Sequence, residues 1–241
     1  FMIVDARVGS AQVLKDVLYG RSLSYALPKV LDLCSEQEKP RLRQLIYGAL
    51  RDYPRLIAIL DKLLKKPFKD KDADLKAILI LGIYELEHMS TPDYAVVSSV
   101  VENTSRIGKP WSKGLANGVL RRFLRERASI VSSIGESESL AHPKWMYDRL
   151  VTEYPSNFGD IIQANNQAPP LTLRVNLDRI SRTDYLVLLR NHGLSAQAGS
   201  QTQFSIYLDK PVNVSRLPGF HEGLVSVQDE AAQLVGTLLP C

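Results

Sequence analysis

The chain has 241 residues, 45% of them hydrophobic, with 30 Lys and Arg against 26 Asp and Glu for a formal net charge of +4, which allows either one large domain or two ordinary ones with separate cores. Cys34 and Cys241 are the only cysteines and share no ligand spacing, so neither a disulfide framework nor a zinc site is indicated, which suits a reducing cytoplasm. Polar and charged residues interrupt Val4 to Leu18, which excludes an uninterrupted secretory h-region there, and no stretch of about 20 apolar residues occurs to span a bilayer, so a soluble protein is expected.

Residues 1 to about 135 read as nearly continuous helix with short breaks. Ala6, Val13, Leu14, Val17 and Leu18 line a first helix, and Leu23, Leu27, Val30, Leu31 and Cys34 a second, with Pro28 near its beginning. Ser35-Glu36-Gln37-Glu38 has the pattern of an N-cap and acidic first turn leading into Leu42, Leu45, Ile46, Ala49 and Leu50. Pro54 restarts the chain, and Leu56, Ile59, Leu60, Leu63 and Leu64 make a further amphipathic helix that ends at Lys65-Lys66-Pro67. Ala77 to Leu86 is apolar on nearly all sides, as a central bundle helix must be. Pro92 opens a helix through Val96, Val97, Val100 and Val101, and Gly108-Lys109-Pro110 turns into the segment Lys113 to Phe123. There Leu115, Val119, Leu120, Phe123 and Leu124 are expected to bury one face and leave Arg121, Arg122 and Arg125 outside, while Gly114 and Gly118 permit close backbone approach. Six or seven helices at these intervals imply an all-α bundle.

Charge is unevenly divided. Residues 1 to 138 hold 22 Lys and Arg against 17 Asp and Glu, a net +5, whereas the remainder nets −1. Between Thr104 and Arg127, Arg106, Lys109, Lys113, Arg121, Arg122, Arg125 and Arg127 are opposed only by Glu126, an electrostatic footprint for a polyanion. Lys62, Lys65, Lys66, Lys69 and Lys71 are interleaved with Asp61, Asp70, Asp72 and Asp74 and read as ordinary surface.

The pattern changes after the small-polar stretch Gly135-Glu136-Ser137-Glu138-Ser139, so the expected division is a helical domain over 1 to 135, a linker over 136 to 142 and an α+β module over 143 to 241. Trp145 to Tyr154 and Phe158 to Asn165 are predicted helical, with Trp145 in the core beside Met146, Leu150 and Val151. Leu171 to Asn176, Phe204 to Leu208 and Gly223 to Val227 have strand character, Thr183 to Asn191 has helical spacing with a Gly193 stop, and Gln228 to Leu239 resumes helix. His88, His142, His192 and His221 show no metal-ligand spacing.

Several of these strings carry a resemblance. Lys113-Gly114-x-x-Asn117-Gly118-Val119-Leu120-Arg121 resembles a signature of NusB-like RNA-binding domains, especially those fused to bacterial 16S ribosomal RNA cytosine-C5 methyltransferases of the Sun/Fmu type. The likeness extends through Ala6-Arg7, Leu45-x-Tyr47-Gly48-x-Leu50-Arg51, His142-Pro143-x-Trp145, Asn165-Asn166-Gln167-x-Pro169-Pro170-Leu171-x-Leu173-Arg174-Val175-Asn176 and Val227-Gln228-Asp229-Glu230-Ala231-Ala232-Gln233-Leu234. It implies a NusB-like bundle followed by a small RNA-recognition-like α+β module, and a parent enzyme that uses S-adenosylmethionine to methylate carbon 5 of a cytosine, position 967, in 16S ribosomal RNA. In that family a Rossmann-like domain with a glycine-rich cofactor loop follows the Val-Gln-Asp helix and supplies two catalytic cysteines, one attacking carbon 6 of the base. That domain is absent here: Cys241 has no Asp-x-Pro-Cys context and Cys34 lies in an apolar stripe. The chain therefore looks like an excised targeting half, with no catalytic residue, no cofactor or metal of its own, and its catalytic domain missing in cis.

For such a half the implied partner is 16S ribosomal RNA and not a membrane. Lys109, Lys113, Arg121, Arg122 and Arg125 are the phosphate candidates. Arg174 and Asn176 are expected on one exposed strand face beside the RNA path, while Gln228 and Asp229 either border the active site or cap a helix. Ser98-Ser99 stands where NusB-like domains commonly carry Asn-Glu, which favours the methyltransferase-fused branch. The rival readings are a NusB-like antitermination factor, which should end near residue 138, and a helical protein-interaction scaffold. Leu234, Val235, Leu238 and Leu239 are expected to expose apolar surface at the end of the chain.

Overall fold

The computed structural model describes residues 5–238, which leaves Leu239 and Cys241 outside the described residues. Two compact units result, dividing between Asn166 and Gln167.

The first unit is helical. Helix α1 (Ala6–Leu18) starts where the Asp5 carboxylate accepts the amides of Arg7 at 2.9 Å and Val8 at 3.4 Å. It is followed by α2 (Leu23–Leu31), whose Pro28 lies in the body of the helix rather than near its beginning, and by α3 (Lys39–Arg51). Ser35 does not cap α3. Its carbonyl accepts the Glu38 and Lys39 amides in a separate turn, and Glu38 takes the Ala6 amide at 3.2 Å, tying the start of α1 to that of α3. Helix α4 (Tyr53–Leu63) carries Pro54 in its first turn, where a missing amide costs nothing.

Helix α5 (Ala73–His88) is the axis of the unit, buried without interruption from Ala77 to Leu86 and packed against α1, α3, α4, α6 (Asp93–Arg106) and α7 (Lys113–Ser133). Each fully buried Leu or Ile on it contributes about 2 kcal/mol of transfer free energy. One carboxylate is buried with them. Glu85 accepts both Nε and Nη2 of Arg7 at 2.7 Å and also the Arg41 guanidinium, so the Ala6-Arg7 pair joins α1 to α5 from within.

The segment expected as a linker carries α8 (Glu136–Ser139), which packs on α4. His142 is buried with Nδ1 2.7 Å from the Leu140 carbonyl, and Asn166 donates to that same carbonyl at 2.9 Å. These bonds bind 140 to 166 together, so α9 (Lys144–Glu153) and α10 (Phe158–Asn165) belong to the helical unit by compactness, not to the unit that follows. Trp145 is not in the core: it is 66% exposed, because α9 turns Met146, Tyr147, Leu150 and Val151 inward and leaves Trp145 on the side of Asp148 and Arg149.

The second unit is a four-stranded antiparallel sheet of order β2-β3-β1-β4, made of β1 (Leu171–Val175), β2 (Ala196–Ala198), β3 (Ser205–Leu208) and β4 (Val225–Val227). Leu173 sits opposite Ile206 on one side and Val227 on the other. Helix α11 (Arg182–Asn191), capped by Ser181 and stopped at Gly193 with φ 72°, brings Tyr185 and Leu189 into the core with Leu173, Val175, Ile206 and Leu208. Tyr185 is fully buried, its hydroxyl donates to the Pro218 carbonyl at 3.0 Å, and burial pushes its pKa up to about 12. The expected last helix is two short ones, α12 (Glu230–Gln233) and α13 (Val235–Leu238).

Candidate nucleic-acid interface

Helix α7 buries Ala116, Val119, Leu120, Phe123 and Ile130. Leu115, expected inside, is 39% exposed, and Leu124 is half-buried. The opposite face presents Lys113, Gly114, Gly118, Arg121 and Arg125, all exposed. These positions repeat at helical spacing and form one stripe. A Cβ at Gly114 or Gly118 would meet nothing within 4 Å, so neither glycine serves packing inside the protein and both leave helix backbone open to a ligand. Lys113 and Arg125 have no ion-pair partner among the described residues, and Arg121 is held along the stripe by Asn117, whose Oδ1 accepts its Nε at 3.0 Å. The Asn117-Gly118 motif thus positions one cation and bares the backbone beside it.

Two of the five phosphate candidates are differently employed. Lys109 is only 14% exposed and its Nζ binds Asp72 at 2.8 Å, Asp74 at 3.2 Å and the Lys71 carbonyl at 2.8 Å; the Asp72 hydrogen bond is the main reason its pKa is raised. It pins the turn before α7, and its charge is already compensated. Arg122 pairs with Glu126 at 2.9 Å and reaches the Leu63 carbonyl at 3.3 Å, which makes it a partial helix cap for α4. Arg127 is likewise occupied by Glu87 at 3.0 Å.

A groove of about 540 Å³ runs between α6 and α7, lined by Tyr94, Ser98, Asn117 and Arg121, with Tyr94 79% exposed. Ser98, the first residue of the Ser98-Ser99 departure, therefore lies in the groove beside the stripe. Sequence reading missed Tyr94, whose only sign was an aromatic residue one turn before a valine stripe.

In the sheet unit, Arg174 is exposed and its guanidinium lies 5.5 Å from the centre of the Phe204 ring. Both line a concavity of about 480 Å³ at the β1, β4 edge together with Asn176 and Ser226. Asn176 shares that hollow but is only half exposed, and its amide is spent on the turn: Nδ2 donates to the Gly223 carbonyl at 3.2 Å and Oδ1 accepts the Asp178 amide at 3.3 Å. The expected alternation also fails at Thr172, buried on the same face as Arg174 because α12 covers that end of β1.

Gln228 is fixed by its backbone, donating to the Thr172 carbonyl at 3.2 Å and accepting Gln233 Nε2 at 2.9 Å. Asp229 takes the N-cap position of α12 but makes no side-chain cap bond and stays exposed. The residue that does the anchoring there is Glu230, not singled out from sequence: its carboxylate accepts the Gln201 and Thr202 amides at 2.9 and 3.0 Å, the Ser205 hydroxyl and the Tyr207 hydroxyl. Beyond it Val235 and Leu238 are 53% and 78% exposed.

Other chemistry is limited among the described residues. Cys34 is buried, and burial raises its thiol pKa, which opposes nucleophilic use. Asp52, Glu87 and His88 bring donor atoms within 4.8 Å of one another, but Arg55 faces Asp52 at 3.6 Å and also binds Glu87, which Arg127 meets at 3.0 Å, so two guanidiniums already compensate the two carboxylates. No parallel strand, glycine-rich loop and helix crossover of the kind that cradles a nucleotide cofactor occurs in the antiparallel sheet. No described helix is long and apolar enough to cross a membrane.

Comparison with known proteins gives two family matches. The NusB family model matches residues 4–125, half of the chain, and the ferredoxin-like domain of RsmF/B-like methyltransferases matches residues 142–215. Proteins named ribosomal RNA small subunit methyltransferase B are similar along almost the whole chain: that of Pseudomonas syringae pv. tomato is 40% identical over 98% of this chain and 53% of its own length. The Pseudomonas putida protein is 40% identical over 98% and 55%, and that of Pasteurella multocida 38% identical over 99% and 53%. The chain spans about half the length of these relatives. The crystal structure of PH0851 superposes with a TM-score of 0.66 over 98% of this chain and 55% of that one, at 14% identity, which is a likeness of fold.

Proposed function

This chain belongs to the NusB family, and we propose that it is the RNA-docking half of an S-adenosylmethionine-dependent methyltransferase acting on a cytosine, at carbon 5, of 16S ribosomal RNA. The observation that carries this reading is the α7 stripe of Lys113, Arg121 and Arg125 around two uncovered glycines. Cations without an intramolecular counterion attract phosphates and release counterions on binding, and bare helix backbone lets a sugar-phosphate chain come close. Arg174, in cation-π contact with Phe204, supplies a second contact in the sheet unit, a cation beside a flat ring that accepts an unstacked base.

S-adenosylmethionine, when bound, supplies the methyl group. In this reading it is held, with the catalytic thiols, by the part of the relatives that this chain does not span. What the present residues do is hold RNA and orient it, with Glu230 fixing the exit from the sheet so that Gln228 and Asp229 border the catalytic domain. The match over 142–215 and the sheet it describes favour this over an antitermination factor built from a NusB-like bundle alone.

The test is affinity for a 16S ribosomal RNA hairpin across a salt series, comparing the wild type with Lys113→Ala, Arg121→Ala and Arg125→Ala combined. Loss of three phosphate contacts should flatten the slope of log affinity against log salt by about 2. A wild-type slope that the triple variant leaves unchanged would move the docking surface elsewhere, and no binding by the wild type would leave a scaffold.

A further inference from the structure

The helical unit holds a concavity of about 500 Å³ remote in sequence from the α7 stripe, walled by Gly48 and Arg51 of α3, Asp52 and Arg55 at the start of α4, and Tyr84 and His88 of α5. Three features of it bear on a ligand. Tyr84 is 9% exposed, and its hydroxyl, which has no hydrogen-bond partner among the described residues, opens into the hollow as an unspent donor. Its place is cleared by Gly48: a Cβ there would lie 1.9 Å from the Tyr84 hydroxyl oxygen. Arg51 is half-buried in the same wall and forms no ion pair among the described residues.

The charges around the hollow do not balance. Asp52 is shared between Arg55 at 3.6 Å and His88 at 2.9 Å, and Glu87 between Arg55 and Arg127, so two carboxylates are set against three guanidiniums once Arg51 is counted. Burial raises the pKa of Tyr84, which keeps its hydroxyl a donor. One unit of positive charge is therefore left over, with the Arg51 guanidinium and the Tyr84 hydroxyl as unspent donors on the wall. The Tyr84 and His88 rings, 4.9 Å apart and tilted by 37°, add a flat apolar flank. We propose that this cavity binds a phosphate-bearing ligand of mononucleotide size, with the Arg51 guanidinium and the Tyr84 hydroxyl as donors to the phosphate and the Tyr84, His88 pair against the base. The volume lies within the range of small-molecule sites. The phosphate can come from a free nucleotide or from an RNA nucleotide, and it is a site additional to the α7 stripe.

The experiment is an NMR titration of the whole chain with inorganic phosphate, cytidine 5′-monophosphate, cytidine and a short single-stranded RNA, reading the resonances of Tyr84, His88 and the Gly48 amide. Saturable shifts are expected with phosphate and the monophosphate, about tenfold or more weaker with cytidine, and Arg51→Gln should weaken monophosphate binding about tenfold and Tyr84→Phe about fivefold. Competition by the RNA at the same resonances assigns the site to an RNA phosphate; monophosphate binding without RNA competition assigns it to a free nucleotide, and either supports the site. The α7 triple variant should bind the monophosphate as the wild type does, which keeps this outcome separate from that of the stripe. The proposal is overturned if none of the phosphate-bearing probes shifts these resonances, or if Arg51→Gln and Tyr84→Phe both bind within twofold of the wild type.

Discussion

Glu230→Gln tests whether one carboxylate ties the end of the chain to the sheet. Glu230 is 6% exposed and accepts from two hydroxyls and two backbone amides, with no cation among these partners. Burial pushes its pKa up, but the donors, led by Ser205 and Tyr207, outweigh that and bring it down to about 2, while the same bond pushes Tyr207 up to about 12. An unfolded glutamate titrates near ~4.3. The folded value is the lower, so the stabilisation is fully present above the unfolded pKa and is lost as pH falls through ~4 toward ~2. A difference of roughly two units corresponds to about 3 kcal/mol. Glutamine keeps the shape and one acceptor oxygen for the two amides and Ser205, but it loses the charge that strengthens those bonds and turns the oxygen facing Tyr207 into a donor, so that the hydroxyl must reverse its role. The expected result is a loss of about 2–3 kcal/mol in the sheet unit at pH 7, with the gap between variant and wild type narrowing below pH ~4. Amide exchange at Val175, whose N–H is bonded to the Phe204 carbonyl at 2.8 Å, reads this unit directly as urea is raised. A variant within about 0.5 kcal/mol of wild type at pH 7, or a gap that stays constant to pH ~2, would refute the reasoning.

Glu85→Ala should cost about 3–5 kcal/mol in the helical unit, because Arg7 and Arg41 would be left without the carboxylate between them; denaturant unfolding that shows less than about 1 kcal/mol would mean that this ion pair does not hold α1 to α5. Gly114→Ala with Gly118→Ala should stabilise α7 by about 0.5–1 kcal/mol per site in thermal unfolding and weaken RNA affinity, since helix entropy is gained and backbone access lost. Gly219→Ala should destabilise the sheet unit by about 1–3 kcal/mol: Gly219 has φ 71° and a Cβ would lie 2.2 Å from Leu224 Cδ1, so unchanged amide exchange would show that the turn relaxes freely.

Periodicity located α6, α7 and α11 because each carries an apolar stripe bounded by Pro, Gly or a polar cap, and the unbroken apolar run located α5. It missed β2, three residues of Ala, Gln and Ala with no strand-forming bias. It misjudged Trp145 because apolar neighbours in sequence are not neighbours on a helix face, where one residue is a rotation of ~100°. Charge run was the weaker guide. Lys109 belongs to the basic cluster along the chain, but its counterions, Asp72 and Asp74, arrive from the turn before α5 and from its first turn; Glu85 and Glu230 likewise gain their roles from donors distant in sequence. Helix faces follow from local rules, whereas which charges remain uncompensated depends on tertiary pairing, and so the candidate site was legible as a segment but not residue by residue.

The exposed tryptophans shape how this molecule can be watched. Trp111 and Trp145, the only two in the chain, are 65% and 66% exposed, so indole emission is already close to its water-solvated wavelength in the folded state. Intrinsic fluorescence is then nearly blind to unfolding, and silent for the sheet unit, where only Tyr185 and Tyr207 absorb as phenols. The same property makes Trp111, two residues before Lys113, a built-in optical reporter at the head of the α7 stripe: a polyanion settling there quenches or shifts one indole without any label attached.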